Sequence, residues 1–245
     1  MKTKIMLTAM VASIGLAPMA NAEDLLSEDA LGGKFNANVS VVSEYLFRGT
    51  SQSGDGVPAI QGGIGFAHDT GFYLNTWASS INFGGNVETD VSGGWSGDVG
   101  PVKLDAGAIL YAYPGAASNL KLTYWEGYAG VSKDFGFASG GVKFSYSPDW
   151  TGTSNSEAQY LEANVDVPAG KYFTINLHAG HQWFDDNDTV GLDDYTDWSI
   201  GASTGIAGFT LKAAYVGTDL PQGQLDAVYR QDSSDKFVAS ISRAF

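Results

Sequence analysis

From Phe35 onward the chain alternates apolar and polar residues with a period of two. Phe35, Ala37, Val39, Val41, Ser43, Tyr45 and Phe47 share one side of an extended segment, and Asn36, Asn38, Ser40, Val42, Glu44, Leu46 and Arg48 share the other. Successive strand residues point to opposite faces, so the pattern predicts a strand over 35–48 with one apolar and one largely polar face. The split recurs at 60–67, 72–79, 87–95, 102–111, 124–132, 142–146, 161–166, 173–180, 197–203, 209–215 and 237–245, giving twelve segments. Segments of about ten residues cross a bilayer when tilted.

Charge follows the same division. The apolar faces carry only Lys133 and Arg243, both near segment ends. The polar faces carry Glu44, Arg48, Glu88, Asp90, Lys103, Asp105, Glu126, Lys143, Glu162, Asp166, Asp197 and Lys212, which become the candidate pore-lining residues. A basic side chain at the bilayer midplane costs about 2–4 kcal/mol, whereas a barrel lumen tolerates it. Alternation alone is equally compatible with a soluble sandwich, so the connectors have to decide. They alternate short (68–71, 97–100, 133–136, 168–171, 207–208) with long (49–57, 148–157, 185–194, 219–235). Short turns at one end and long loops at the other predict an all-β, transmembrane antiparallel up-and-down barrel of about twelve strands. Its short side is periplasmic and its long side extracellular.

Composition then falls into place. The 245 residues include 32 glycines, no cysteine, 13% aromatic and only 16% charged residues. The aromatic content excludes disorder, and the missing cysteines exclude a disulfide scaffold or a thiolate metal site. Glycines serve tight turns and, at Gly63, Gly65, Gly107 and Gly141, room inside the pore. Tyr45, Phe47, Trp95, Trp125, Trp183 and Trp198 fall near segment ends, where an interfacial aromatic girdle belongs. Tyr73, Trp77, Tyr111, Tyr124, Tyr128 and Tyr160 face the lumen.

Residues 1–22 read as a secretory signal peptide: basic Lys2 and Lys4, a short apolar stretch, Pro18, then Ala20-Asn21-Ala22 as a small-x-small cleavage site. Residues 23–34 are expected to be a short periplasmic segment and 35–245 the barrel. Removing Lys2 and Lys4 leaves 11 basic against 27 acidic residues, a net of −16 that argues against nucleic acid. The last segment ends on Phe245, which resembles the signal read by the outer-membrane assembly machinery.

The stretch from Asn38 to Ser53, and above all the Tyr-x-Phe-Arg-Gly-x-Ser-Gln block at Tyr45–Gln52, resembles the opening of the TorF-family porins of proteobacteria. The resemblance continues through Pro58–Gly63, Gly71–Ile81, Tyr195–Gly201, Ala214–Asp219 and the last segment. It implies an outer-membrane barrel that conducts small solutes and brings no catalytic residues.

Other chemistry is sparse. His178 and His181, three apart on a strand, face opposite ways and cannot share a metal. An outward lipid hydrolase built on His181 lacks a marked serine nucleophile, and an omptin-like arrangement of His181 with Asp185 and Asp186 stands against the commoner reading of solvated loop acids. The Asp185–Asp188 run lacks calcium-loop spacing. No cofactor or metal site is expected. The expectation is a monomeric or trimeric outer-membrane barrel among lipid and lipopolysaccharide, passing small hydrophilic solutes with a preference for cations or neutral molecules. A structural or adhesive barrel with a filled lumen is the alternative, and a phospholipase- or omptin-like hydrolase the third reading.

Overall fold

The computed structural model describes residues 31–117, 120–152, 156–221 and 233–245. The alternating segments are strands: β1 (Gly33–Val42), β4 (Ala59–His68), β5 (Phe72–Ser80), β6 (Val87–Val99), β7 (Val102–Ala112), β8 (Tyr124–Asp134), β9 (Ser139–Ser147), β10 (Ala158–Ala169), β11 (Phe173–Phe184), β12 (Tyr195–Ile206), β13 (Phe209–Thr218) and β14 (Lys236–Ala244). Two further strands, β2 (Leu46–Phe47) and β3 (Thr50–Ser51), form a separate ribbon. The twelve long strands close into one antiparallel barrel, each paired with its neighbours in order. Closure is made by β1 against β14, from Asn38↔Ala244 to Val42↔Ser240. Phe245 completes it, its backbone exchanging hydrogen bonds of 2.9 and 3.2 Å with Ala37. Closure gives each of the twelve barrel strands a partner on both sides, as a hydrocarbon solvent demands.

The short connections lie at the end that holds Gly33 and Ala244, and the tightest is Ala207-Gly208. Both its residues have positive φ, 51° and 80°, the conformation whose twist matches paired strands. At the opposite end run the longer connections, one of which holds the single-turn helix α1 (Asn187–Val190).

The outside of the barrel is apolar and exposed: Ile60, Ile64, Phe72 and Phe237 are each more than 60% accessible. The buried core lies within the barrel, toward the long-loop end. It consists of Tyr45, Trp77, Ile81, Phe83 and Leu122 on one side, and of Ile109, Tyr111, Tyr124, Trp150, Phe184, Tyr195 and Leu220 on the other. The barrel begins at Gly33 rather than Phe35, and the proposed signal peptide lies outside the described residues.

Candidate functional site

β1 ends at Val42, six residues before the alternation does. Ser43 still holds β14, its amide donating to Ala239 O at 2.8 Å and its hydroxyl accepting from Ala239 N at 2.9 Å. The chain then turns into the lumen and returns as the β2–β3 ribbon, with Leu46 paired to Ser51 and Phe47 to Thr50. Arg48 and Gly49 form its two-residue tip, both at positive φ (48° and 77°). Backbone inside a closed lumen must find partners other than bulk water, and this segment supplies its own. Gln52 N donates to Tyr45 O at 2.8 Å, Tyr45 N to Ser53 Oγ at 2.9 Å, and Gly56 N to Glu44 Oε2 at 2.9 Å. Thr50 Oγ1 donates to Phe47 O at 2.8 Å.

The ribbon reaches most of the wall. Tyr45 packs edge-on against Trp77 of β5 and donates its hydroxyl to Glu88 of β6 at 3.1 Å. Phe47 meets Tyr111 of β7 and stacks on Trp150 from the β9–β10 connection. A side chain at Gly49 would lie 2.9 Å from Asp197 Cβ of β12 and 3.1 Å from Thr218 Cβ of β13. Lys236 of β14 pairs with Asp55 and approaches Glu44 at 3.9 Å.

Arg48 is the centre of this arrangement. Its NH2 donates to Glu126 Oε2 of β8 at 2.7 Å and its NH1 to Gln182 Oε1 of β11 at 2.8 Å. The guanidinium carbon lies 4.1 Å from the Tyr160 ring centre, 4.7 Å from Phe47 and 5.4 Å from Trp150. Two charge-assisted bonds and three aromatic faces thus hold one planar cation.

Below the plug the lumen stays polar. Lys143 pairs with Glu162 at 2.6 Å, and His178 contacts Asp197 and Asn164, each at 2.8 Å. Tyr160 donates to the other Asp197 oxygen at 2.8 Å. Tyr73 donates to Asp105 at 2.7 Å and also bonds Tyr128. Asp90, 5% exposed, has one carboxylate oxygen without a hydrogen-bond partner; it lines a cavity of about 20 Å³ with Asn36, Asn38, Asn75 and Ser92.

The twelve charged residues expected to line a pore all lie inside the barrel or in the segment folded into it, but not alike. Glu88, Asp90, Glu126, Lys143, Glu162 and Asp197 are buried wall residues. Lys103 and Asp105 are half-buried, and Asp166 and Lys212 exposed, toward the short-turn end. Glu44 and Arg48 belong to the inserted segment, not to β1. That correction carries another. Tyr45 and Phe47 are not girdle residues, because the inward turn after Ser43 takes them into the lumen; Tyr45 is only 4% exposed. Trp125, Trp183 and Trp198 do face outward and are exposed, and Trp95 lies half-buried on the outer wall, donating to Thr70 O at 2.9 Å. The lumen glycines are also reassigned. A side chain at Gly107 would strike Tyr128, at Gly65 Asn36 and Asn75, and at Gly141 Ser132, so the space beneath is filled by neighbouring side chains.

His181 faces outward with Nδ1 2.9 Å from Thr196 Oγ1. Asp186 caps α1, accepting from Thr189 N at 2.9 Å and Thr189 Oγ1 at 2.7 Å, which holds its carboxyl below the usual range. Asp186 is thus committed to α1 and His181 to Thr196, rather than to each other. Among the described residues no group of three or more histidine or acidic side chains is placed to hold a metal.

Residues 27–245 match the model of a family described as "Bacterial protein of unknown function (Gcw_chp)". No curated protein matches the chain. Solved structures that share its fold include two porins. A KdgM porin covers 86% of this chain and 99% of its own at 10% identity, with a TM-score of 0.57. A NanC porin covers 86% and 98% at 10% identity, with a TM-score of 0.58.

Proposed function

Because the chain belongs to a bacterial family of unknown function, Gcw_chp, its role has to be drawn from its own lumen, and we propose that it is an outer-membrane, porin-like channel for small hydrophilic solutes, closed in this state by the Tyr45–Gln52 hairpin. One observation carries this reading. The wall of a lipid-compatible barrel is lined with charged and polar side chains, and a separate ribbon with its own two-residue turn is folded into the lumen. The porin fold of its structural relatives and the TorF-family resemblance, strongest at this same hairpin, support the assignment. In this reading an N-terminal signal exports the chain, Phe245 engages the assembly machinery, and the finished barrel sits among lipid and lipopolysaccharide. Eight acids against four bases in the lumen favour cations and neutral molecules over anions.

Planar-bilayer recording tests it. The intact protein is expected to conduct weakly, and a variant lacking Leu46–Ser51 several-fold more. Retention of fold is checked by heat-modifiable migration on a gel. A folded hairpin-less barrel that passes no current at either polarity removes the channel reading. It would leave the filled structural barrel, which the aromatic packing of plug against wall favours: Phe47 on Trp150 and Trp150 on Phe184 at 5.7 Å.

A further inference from the structure

Arg48 is an unusual choice for a plug. An apolar tip would close the lumen with less desolvation, since a buried ion pair gains little over a hydrophobic substitute. The left-handed backbone is also strained for a side chain other than glycine. What the tip occupies explains the choice better than what it blocks. Its surroundings form a receptor for a planar cation: a carboxylate and an amide oxygen on two different strands, placed for the two arms of one guanidinium, between aromatic faces.

Most of that receptor is independent of the hairpin. Gln182 is oriented by its own amide, which donates to Gln159 O at 3.0 Å and Trp183 O at 3.2 Å. Tyr160 is held by Asp197, and Glu126 accepts from Tyr111 at 3.3 Å. Trp150 is fixed through its backbone to Ser156 at 2.9 Å. A site arranged before its ligand arrives loses little on ordering. The Glu126 carboxylate and the Gln182 amide oxygen both stay in the wall when Arg48 is removed, so the cage remains a cation site.

We propose that this cage binds guanidinium-bearing solutes, and that Arg48 is its intramolecular occupant. Displacement of Arg48 by such a solute would release the hairpin; that step rests on the channel reading, whereas binding itself does not.

The test uses the full-length protein folded in detergent and carrying Arg48→Ala. Guanidinium chloride is titrated in the millimolar range while tryptophan fluorescence is followed, with urea as the neutral planar control and potassium chloride as the ionic one. A saturable response is expected, with a midpoint about tenfold below that of potassium chloride, as paired charge-assisted bonds predict. Urea should give none, and the wild type, its cage filled, should respond only at higher concentration. Adding Glu126→Gln should abolish the response. Equal responses to all three solutes, or a response indifferent to Glu126→Gln, would overturn the proposal. If Arg48→Ala does not fold, Arg48→Lys serves: an ammonium lacks the planar fork, so guanidinium should displace it more readily than it displaces Arg48, and a midpoint equal to the wild type's counts against the cage. Bilayer currents separate the two claims. Saturable binding without current in any variant keeps the cage and removes the channel; current with no guanidinium response does the opposite.

Discussion

Gly180 shows what glycine does inside this barrel. The phenol of Tyr160 lies flat across it, and a Cβ there would collide with the ring and its oxygen. The same device recurs where Tyr73 covers Gly94 and Tyr128 covers Gly107, each phenol oxygen within 2.7 Å of where a side chain would begin. Glycine gives the large ring a seat, and the ring gives the hydroxyl a reach across the wall, from Tyr160 to Asp197 and from Tyr73 to Asp105. Gly180→Ala is therefore expected to lift Tyr160 away from both Asp197 and Arg48, at a cost of about 1–3 kcal/mol in denaturant unfolding of the lipid-folded barrel. Gly205→Ala, also on a strand but with open space where its side chain would go, should cost less than about 0.5 kcal/mol. Equal losses would mean that the seat is unimportant. Composition makes the excess of glycine visible in the sequence, and the inward tyrosines are visible too. Their pairing is not, because it depends on which strands become neighbours and in what register.

At the scale of elements, period two locates the barrel strands closely: the segments read at 72–79, 102–111 and 173–180 are the cores of β5, β7 and β11. It fails at the end of β1 for a physical reason. A ribbon folded inside the lumen alternates as a wall strand does, so Ser43–Arg48 continues the rhythm after the chain has left the wall. The sequence cue for the departure is a two-residue turn, and Arg48-Gly49 is a poor advertisement for one beside Asn-Gly or Asp-Gly. That turn is also a point of control. A methyl group at Gly49 faces both a φ of 77° and the Asp197 and Thr218 side chains, so Gly49→Ala should push the tip back and raise resting conductance while leaving the wall's thermal stability nearly unchanged. Unaltered conductance would mean that the hairpin tolerates the strain in place. A second element has a pH dependence. The Asp186 carboxyl is depressed by its bonds to Thr189, so its cap is intact above the ordinary aspartate value and is lost as the pH falls through the lower range in which the bonded carboxyl takes up its proton. Amide exchange at Thr189 should accelerate through that range in the wild type, whereas in Asp186→Ala it should be fast throughout. Exchange that does not distinguish the two proteins would remove the cap from the account.

For the whole molecule, sorting of charge by face is the organising fact, and it makes ion preference a property of the lumen as a unit. Arg48 and Lys143 pair with Glu126 and Glu162, and among the described residues Asp197 bonds His178 and Tyr160. Glu88 is bonded to a neutral hydroxyl, and Asp90 keeps a bare oxygen. Once the hairpin is gone Glu126 loses its arginine, and neither it nor Asp197 then has a lysine or arginine within ion-pair distance among the described residues, so the path that opens carries an excess of acid. A barrel lacking Leu46–Ser51, which also loses Arg48, should show cation selectivity in a potassium chloride gradient by reversal potential. The effect must depend on salt in a particular way. At about 0.1 M the screening length of about 10 Å spans the distance from wall to permeating ion, and at about 1 M, near 3 Å, it does not. Selectivity should thus be strong in dilute gradients and fade in concentrated ones. Glu126→Gln in the same background, removing a carboxylate from the level of the vacated cage, should weaken it further. A reversal potential of the opposite sign at low salt would mean that the lumen acids are neutralised and that the bases set the field.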